Sequence, residues 1–161
     1  MRRILKIAKA ELFTLFYSPV AWLILVAFTV QVGLKFTGLM ADFVYREDMG
    51  FGNGFLTANL LGGMFGMYNT VQQYLYLYMP LLTMGLMSRE LSSGSIKLLY
   101  SSPVTNWQII FGKYLSMMIY GLALIFVLLV IALFGSFTIK DFDFPMVLSG
   151  LLGLYFLICA Y

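Results

Sequence analysis

The sequence predicts an all-α membrane protein, and three observations carry that reading. Hydrophobic residues make up 61% of the chain and charged residues only 11%, against roughly 45–50% apolar and 25% charged in an ordinary soluble domain. The apolar residues gather into runs close to the roughly 20 residues that a helix needs to cross a bilayer. Finally, the cations sit between those runs in an uneven pattern. Arg2, Arg3, Lys6, Lys9, Arg89, Lys97 and Lys113 fall on one side of the expected spans, and Lys35, Arg46 and Lys140 on the other. The rule that basic residues stay inside puts the first group, with the amino terminus, in the cytoplasm. The expected location is therefore the cell's inner (cytoplasmic) membrane, crossed several times.

Composition also excludes some chemistry. The chain has no histidine and one cysteine, Cys159, so it holds neither a His-ligated zinc or haem nor an internal disulfide. A formal net charge of +3 would suit nucleic acid only if the cations shared a face, and here apolar runs separate them. No nucleic-acid partner is expected.

Residues 1–17 form the first element. At 100° per residue Ile4, Leu5, Ala8, Leu12, Leu15 and Phe16 fall within about a third of a helix circumference, and Arg2, Arg3, Lys6 and Lys9 occupy the neighbouring third. Such a helix is expected to lie on the membrane surface with its apolar stripe toward lipid and these four cations toward anionic headgroups. Ser18-Pro19 breaks it, because proline disfavours the helical conformation in the residue before it and suits the first turn of the next helix. A first span is expected over residues 20–40, with Lys35 near its outer end, where its long stem can reach the interface.

Residues 42–69 read as an external loop. They hold Asp42, Arg46, Glu47 and Asp48 and the glycine-rich Met49-Gly-Phe-Gly-Asn-Gly54, then a short helix from Phe55 packed through Gly62 and Gly66. The second span covers residues 70–87, with Pro80 as an expected kink. Tyr68, Tyr74, Tyr76 and Tyr78 cluster toward one end as an interfacial aromatic belt does; a stacking site for substrate is the alternative. Residues 114–134 carry no charge and make the third span. After a loop over residues 135–144, Pro145 opens a fourth run over residues 145–161. That run barely spans the hydrocarbon, so the chain is expected to be a piece of a longer protein.

The polar island over residues 88–113 is longer than a turn between two spans requires. Ser92, Ser93 and Ser95 around Gly94 suit a helix start, Ile96-Lys-Leu-Leu-Tyr100 gives a short apolar-faced turn or two, and Ser101-Ser102-Pro103 stops it. Thr105 with Gln108 fits a capping box that would open the third span, and Trp107 belongs at the interface. The result is a small helix across the cytoplasmic end of two spans. Apolar anchors rimmed by Arg89, Glu90 and Lys97 suit a protein partner; rest on lipid is the alternative. Catalysis is not expected, since the serines lack a histidine and no carboxylate pair accompanies them.

The run from Arg89 to Lys113 resembles the signature of ABC-2-type transporter permeases. Glu90, Gly94, Ser95, Ile96, Leu98, Leu99, Ser102, Pro103, Val104, Thr105, Gly112 and Lys113 stand at the matching places. The opening helix followed by Ser18-Pro-Val-Ala-Trp22 is similar to the family's elbow helix and first span. Within the family the chain looks most like the gliding-motility-type permeases of Bacteroidetes.

The resemblance implies an amphipathic elbow helix plus about four transmembrane helices, an incomplete six-helix ABC-2 permease. It implies a partner ABC ATPase subunit and a second permease copy or paralogue forming a dimer in the lipid bilayer. Arg89, Glu90, Gly94, Ser95, Ile96, Lys97, Leu98, Leu99, Ser102 and Pro103 would form the coupling helix that docks into the ATPase. No GxxxxGK[ST] phosphate cradle occurs in the chain. No cofactor is expected in it, ATP and magnesium belonging to the partner. Two other readings stay open from the residues themselves. One is a non-transporting scaffold that recruits a cytoplasmic protein through residues 88–113. The other is a secondary transporter, for which Lys35 is the one candidate intramembrane ionisable group.

Overall fold

The computed structural model describes residues 2–48, 62, 66–93, 105–138 and 143–161. Among these the chain forms five α-helices and no strand: α1 (Arg2–Phe16), α2 (Pro19–Asp48), α3 (Met67–Ser93), α4 (Asn106–Thr138) and α5 (Phe144–Ala160). Two are long and apolar enough to cross a membrane, over Pro19–Tyr45 and Asn106–Phe137. Only 17% of the first apolar window and 39% of the second are buried inside the protein. A core helix of a soluble domain would show the reverse, whereas a helix bathed in lipid has no reason to hide its apolar surface.

Helices α2, α3, α5 and α4 pack as a ring, each against the next, and α1 lies along α4. Every helix gives the centre a stripe at three- and four-residue spacing, the signature of one helical face. Ala21, Ile24, Phe28 and Val32 come from α2, and Met67, Val71, Leu75 and Leu82 from α3. Met117, Tyr120, Leu124 and Leu128 come from α4, and Val147, Leu151, Leu154 and Ile158 from α5. The opposite faces are equally apolar and exposed, as with Leu23, Val26, Val30 and Leu34 on α2 or Leu122, Phe126 and Phe134 on α4.

Where apolar packing is not selective, hydroxyls fix the register. Tyr78 donates to Gln31 Oε1 at 2.7 Å, joining α3 to α2. Tyr120, fully buried, donates to the Ala21 carbonyl at 2.8 Å, and Tyr114 to the Cys159 carbonyl at 2.7 Å. Tyr68 donates to the Val147 carbonyl at 3.0 Å and rests against Gly150; burial pushes its phenol pKa up to about 12. The tyrosine cluster expected as a belt is thus divided. Tyr76 faces outward beside Tyr161, while Tyr68 and Tyr78 are tied into helix joints.

Other boundaries differ from expectation too. Helix α2 continues to Asp48, so Asp42 and its acidic neighbours extend a helix where a loop was expected. Charged residues cost a helix only a few tenths of a kcal/mol each, so their cluster does not end it. Helix α3 begins at Met67 and runs through Pro80 without interruption. The expected short helix from Phe55 lies outside the described residues apart from Gly62 and Gly66, as do residues 139–142.

Candidate functional site

The most specific packing among the described residues joins α1 to the first turns of α4. Ile7 lies against Gly112, and the Phe16 and Tyr120 rings are 6.0 Å apart. The two helices therefore run side by side in the same direction over about two and a half turns. A Cβ on Gly112 would stand 2.6 Å from Ile7 Cγ2 and 3.0 Å from Ile7 Cβ. Only glycine lets α1 come this close. One residue on, Lys113 pairs with Glu11 at 3.2 Å, both side chains mostly shielded from solvent.

This geometry gives the Gly112-Lys113 pair a physical role, a smooth seat for α1 followed by a charge that fixes its register. It also uses up the apolar stripe of α1. Ala8 and Leu15 are buried against the protein, so the side of α1 expected to face lipid is largely covered. Lys6 and Lys9 are exposed. Arg2 and Arg3 lie on the same helix, and their side chains are outside the described residues.

At the start of α4 the capping box does not form. The Gln108 amide N–H donates to the Thr105 carbonyl at 2.9 Å, but the Gln108 side-chain Oε1 is buried and has no hydrogen-bond partner. Trp107 is exposed and stacks on Phe111. Trp22, at the other end of α1, donates its indole N–H to the Phe16 carbonyl at 2.7 Å, satisfying the last turn before Ser18-Pro19.

Of the residues expected to contact an ATPase, Arg89 and Glu90 fall in the last turns of α3, with side chains outside the described residues. Gly94, Ser95, Ile96, Lys97, Leu98, Leu99, Ser102 and Pro103 lie outside the described residues altogether. The structure does describe both ends of the segment. Helix α3 ends at Ser93 and α4 begins at Asn106. At 1.5 Å per residue α3 is about 40 Å long and α4 about 50 Å, against ~30 Å of hydrocarbon. Lys35, on α2, is half-buried.

Sequence reasoning missed Glu11, Ile7, Gln31 and Tyr120. Only Glu11 left a visible signal, as the one acid in an otherwise basic helix. On the far side, an open groove of about 530 Å³ between α3 and α5 is lined by Tyr68, Asn69, Gln72, Gly150, Gly153 and Leu154 among others. Amides and a neutral phenol can hold a polar group by hydrogen bonds, but they supply no general base or nucleophile at neutral pH. No group of three or more His, Cys, Asp or Glu fit to hold a metal ion occurs among the described residues.

The sequence model of one protein family, described as ABC-2 family transporter protein, matches residues 5–161. Neither a curated protein nor a solved structure matches the chain. The match takes in α2 to α5, nearly all of α1 and the polar island, and the chain belongs to the ABC-2 transporter family as a membrane-embedded permease subunit of an ABC transporter.

Proposed function

We propose that this subunit is part of an exporter and converts ATP hydrolysis on a separate ATPase subunit into movement of substrate across the cytoplasmic membrane. Its amino terminus is cytoplasmic, α1 is the elbow, and the spans lie over residues 20–40, 70–87, 114–134 and 145–161. Two copies, or this chain and a paralogue, form the path. The kinship with gliding-motility-type permeases is part of the same proposal and rests on the sequence resemblance. ATP and magnesium sit on the partner, which supplies the phosphate chemistry.

Residues 88–113 receive the force. Leu98 and Leu99 bury against the ATPase while Arg89, Glu90 and Lys97 steer docking, since rim charges act chiefly on encounter and register. Gly94 and Ser95 open the docking helix before Ile96, and Ser102-Pro103 closes it. Motion of that helix tilts α3 and α4 as rigid bodies between states of differing access. The supporting observation is the length of the flanking helices. Both exceed the hydrocarbon thickness, and α4 is braced by α1 through Gly112 and Lys113 at the end of the segment.

The test is Glu90→Lys or Leu98→Asp in the intact transporter. Each is expected to abolish export while the ATPase subunit keeps its own hydrolysis. Unchanged export with both substitutions refutes the assignment. A partner that binds through Leu98 without any ATPase-linked export would instead establish the scaffold reading.

A further inference from the structure

Lys35 is the one charged residue of α2 between Pro19 and Ala41. Because α2 runs on to Asp48, Lys35 lies in the interior of the apolar segment Pro19–Tyr45, about 24 Å along the helix from Pro19 and about 15 Å from Tyr45. Its side chain is half-buried, and it follows Gln31 by four residues, so the two share a row on the helix surface. That row lies on the seam with α3, where Gln31 Oε1 accepts the Tyr78 hydroxyl at 2.7 Å. With its oxygen engaged, Gln31 keeps its amide NH2 to donate, and Lys35 adds the N–H donors of its ammonium. Neither group finds an acceptor among the described residues. Across the seam, α3 carries no acid before Glu90, twelve residues past Tyr78, and α4 and α5 carry none. On α2 itself the nearest acid is Asp42, exposed and about 10 Å further along. A cation thus stands inside an apolar span with no carboxylate of the described residues paired to it.

We propose that Lys35 and Gln31 bind the acidic headgroup of an amphiphile that enters the seam between α2 and α3 from the bilayer. A charged side chain in an apolar span is costly, and it is retained where it meets an opposite charge or marks the path of a substrate. No protein group supplies the opposite charge here, so the ligand brings it. An ammonium and an amide NH2 on one row suit the oxygens of a carboxylate or a phosphate. The apolar part of such a molecule finds matching surface beside them, at exposed Leu34 and in the open space over Gly38. The inference gives the proposed transporter a substrate class and rests on that reading for the use of the site. Binding itself needs no ATPase, so the site can fail while ATP-coupled export stands.

Spin-labelled stearic acid in its ionised form tests the site, with the full chain in phosphatidylcholine vesicles and spin-labelled phosphatidylcholine as the neutral reference. The share of each label immobilised at the protein gives the preference for the acid. That preference is expected to fall by roughly five-fold in Lys35→Gln, to persist in Lys35→Arg, and to fall part of the way in Gln31→Leu. Thermal unfolding of each variant checks that it is folded. Spin-labelled phosphatidic acid in the same vesicles tells a phosphate headgroup from a carboxylate, and a preference for either that depends on Lys35 supports the site. No preference in the unsubstituted chain overturns the proposal. An unchanged preference in Lys35→Gln also overturns it, and assigns the acid to cations outside the span. Displacement of stearic acid by inorganic phosphate at constant ionic strength would mean a free anion in place of an amphiphile, and overturns it too. With no ATPase subunit present, none of these results bears on the coupling tested by Glu90→Lys and Leu98→Asp.

Discussion

Substituting Gly112 by alanine tests the seat of α1 on α4 through the sign of its effect. Inside an exposed helix the change stabilises by up to about 1 kcal/mol, because glycine has more backbone entropy to lose. At Gly112 the new methyl would stand 2.6 Å from Ile7 Cγ2 and 3.0 Å from Ile7 Cβ, some ~1 Å inside normal contact. Ile7 is β-branched and stiff at χ1, so α1 has to move. Moving it away stretches the Glu11–Lys113 pair from its 3.2 Å. Overpacking of this kind costs about 1–3 kcal/mol. With a propensity gain of about 1 kcal/mol the net loss is about 0–2 kcal/mol, or a fall in Tm of up to about 8 °C for a chain of this size. Gly33, on α2, has nothing within 4 Å of the position of its Cβ, so Gly33→Ala supplies the control and should leave Tm unchanged or raise it. Thermal unfolding in detergent, followed by the fluorescence of Trp22 and Trp107 that flank the joint, measures both. Adding Ile7→Ala should recover part of the loss, a coupling of about 0.5–3 kcal/mol in a double-mutant cycle. If Gly112→Ala raises Tm as Gly33→Ala does, α1 is not seated on α4 as described.

Three further outcomes follow from the same structure and are read by the same unfolding measurement. Lys113→Glu places two acids together and should lower stability by about 1–2 kcal/mol, of which the exchange Glu11→Lys with Lys113→Glu restores at least half; no recovery would mean that the pair does not set the register. Tyr78→Phe or Gln31→Leu, made separately, leaves one partner of a half-buried hydrogen bond unpaired and should cost about 1 kcal/mol. The double substitution should cost less than the two singles together. Gln108→Met removes a buried oxygen with no donor and should stabilise by about 1 kcal/mol, whereas a loss of that size would reveal a donor.

Much of the helical architecture was legible because lipid-length apolar runs have few alternatives. The break at Ser18-Pro19 and the opening of the last helix near Pro145 both follow from proline chemistry, and both are present. The direction in which α1 turns its stripe was not legible. Lipid and a neighbouring helix are equally apolar, so a stripe of Ala8, Leu12 and Leu15 satisfies either, and only the three-dimensional match of Ile7 to Gly112 decides between them. The tyrosines posed the same ambiguity. A phenol suits a headgroup interface and a buried carbonyl alike, and Tyr68, Tyr78 and Tyr120 turned out to hold helices together. Gln108 satisfied the capping-box spacing from Thr105, but its side chain turned into the protein. The Gly112-Lys113 pair was visible as part of a family signature. Its reason emerged only when Glu11, a hundred residues earlier, was placed against it.

Coupling to a cytoplasmic ATPase requires residues 94–104 to face the cytoplasm. A cysteine at Ser95, with Cys159→Ala, can be labelled in sealed cells and in inverted vesicles by a maleimide that does not cross membranes. Labelling in inverted vesicles only, with protection when the ATPase subunit is bound, is the result expected. Labelling from outside intact cells would contradict it.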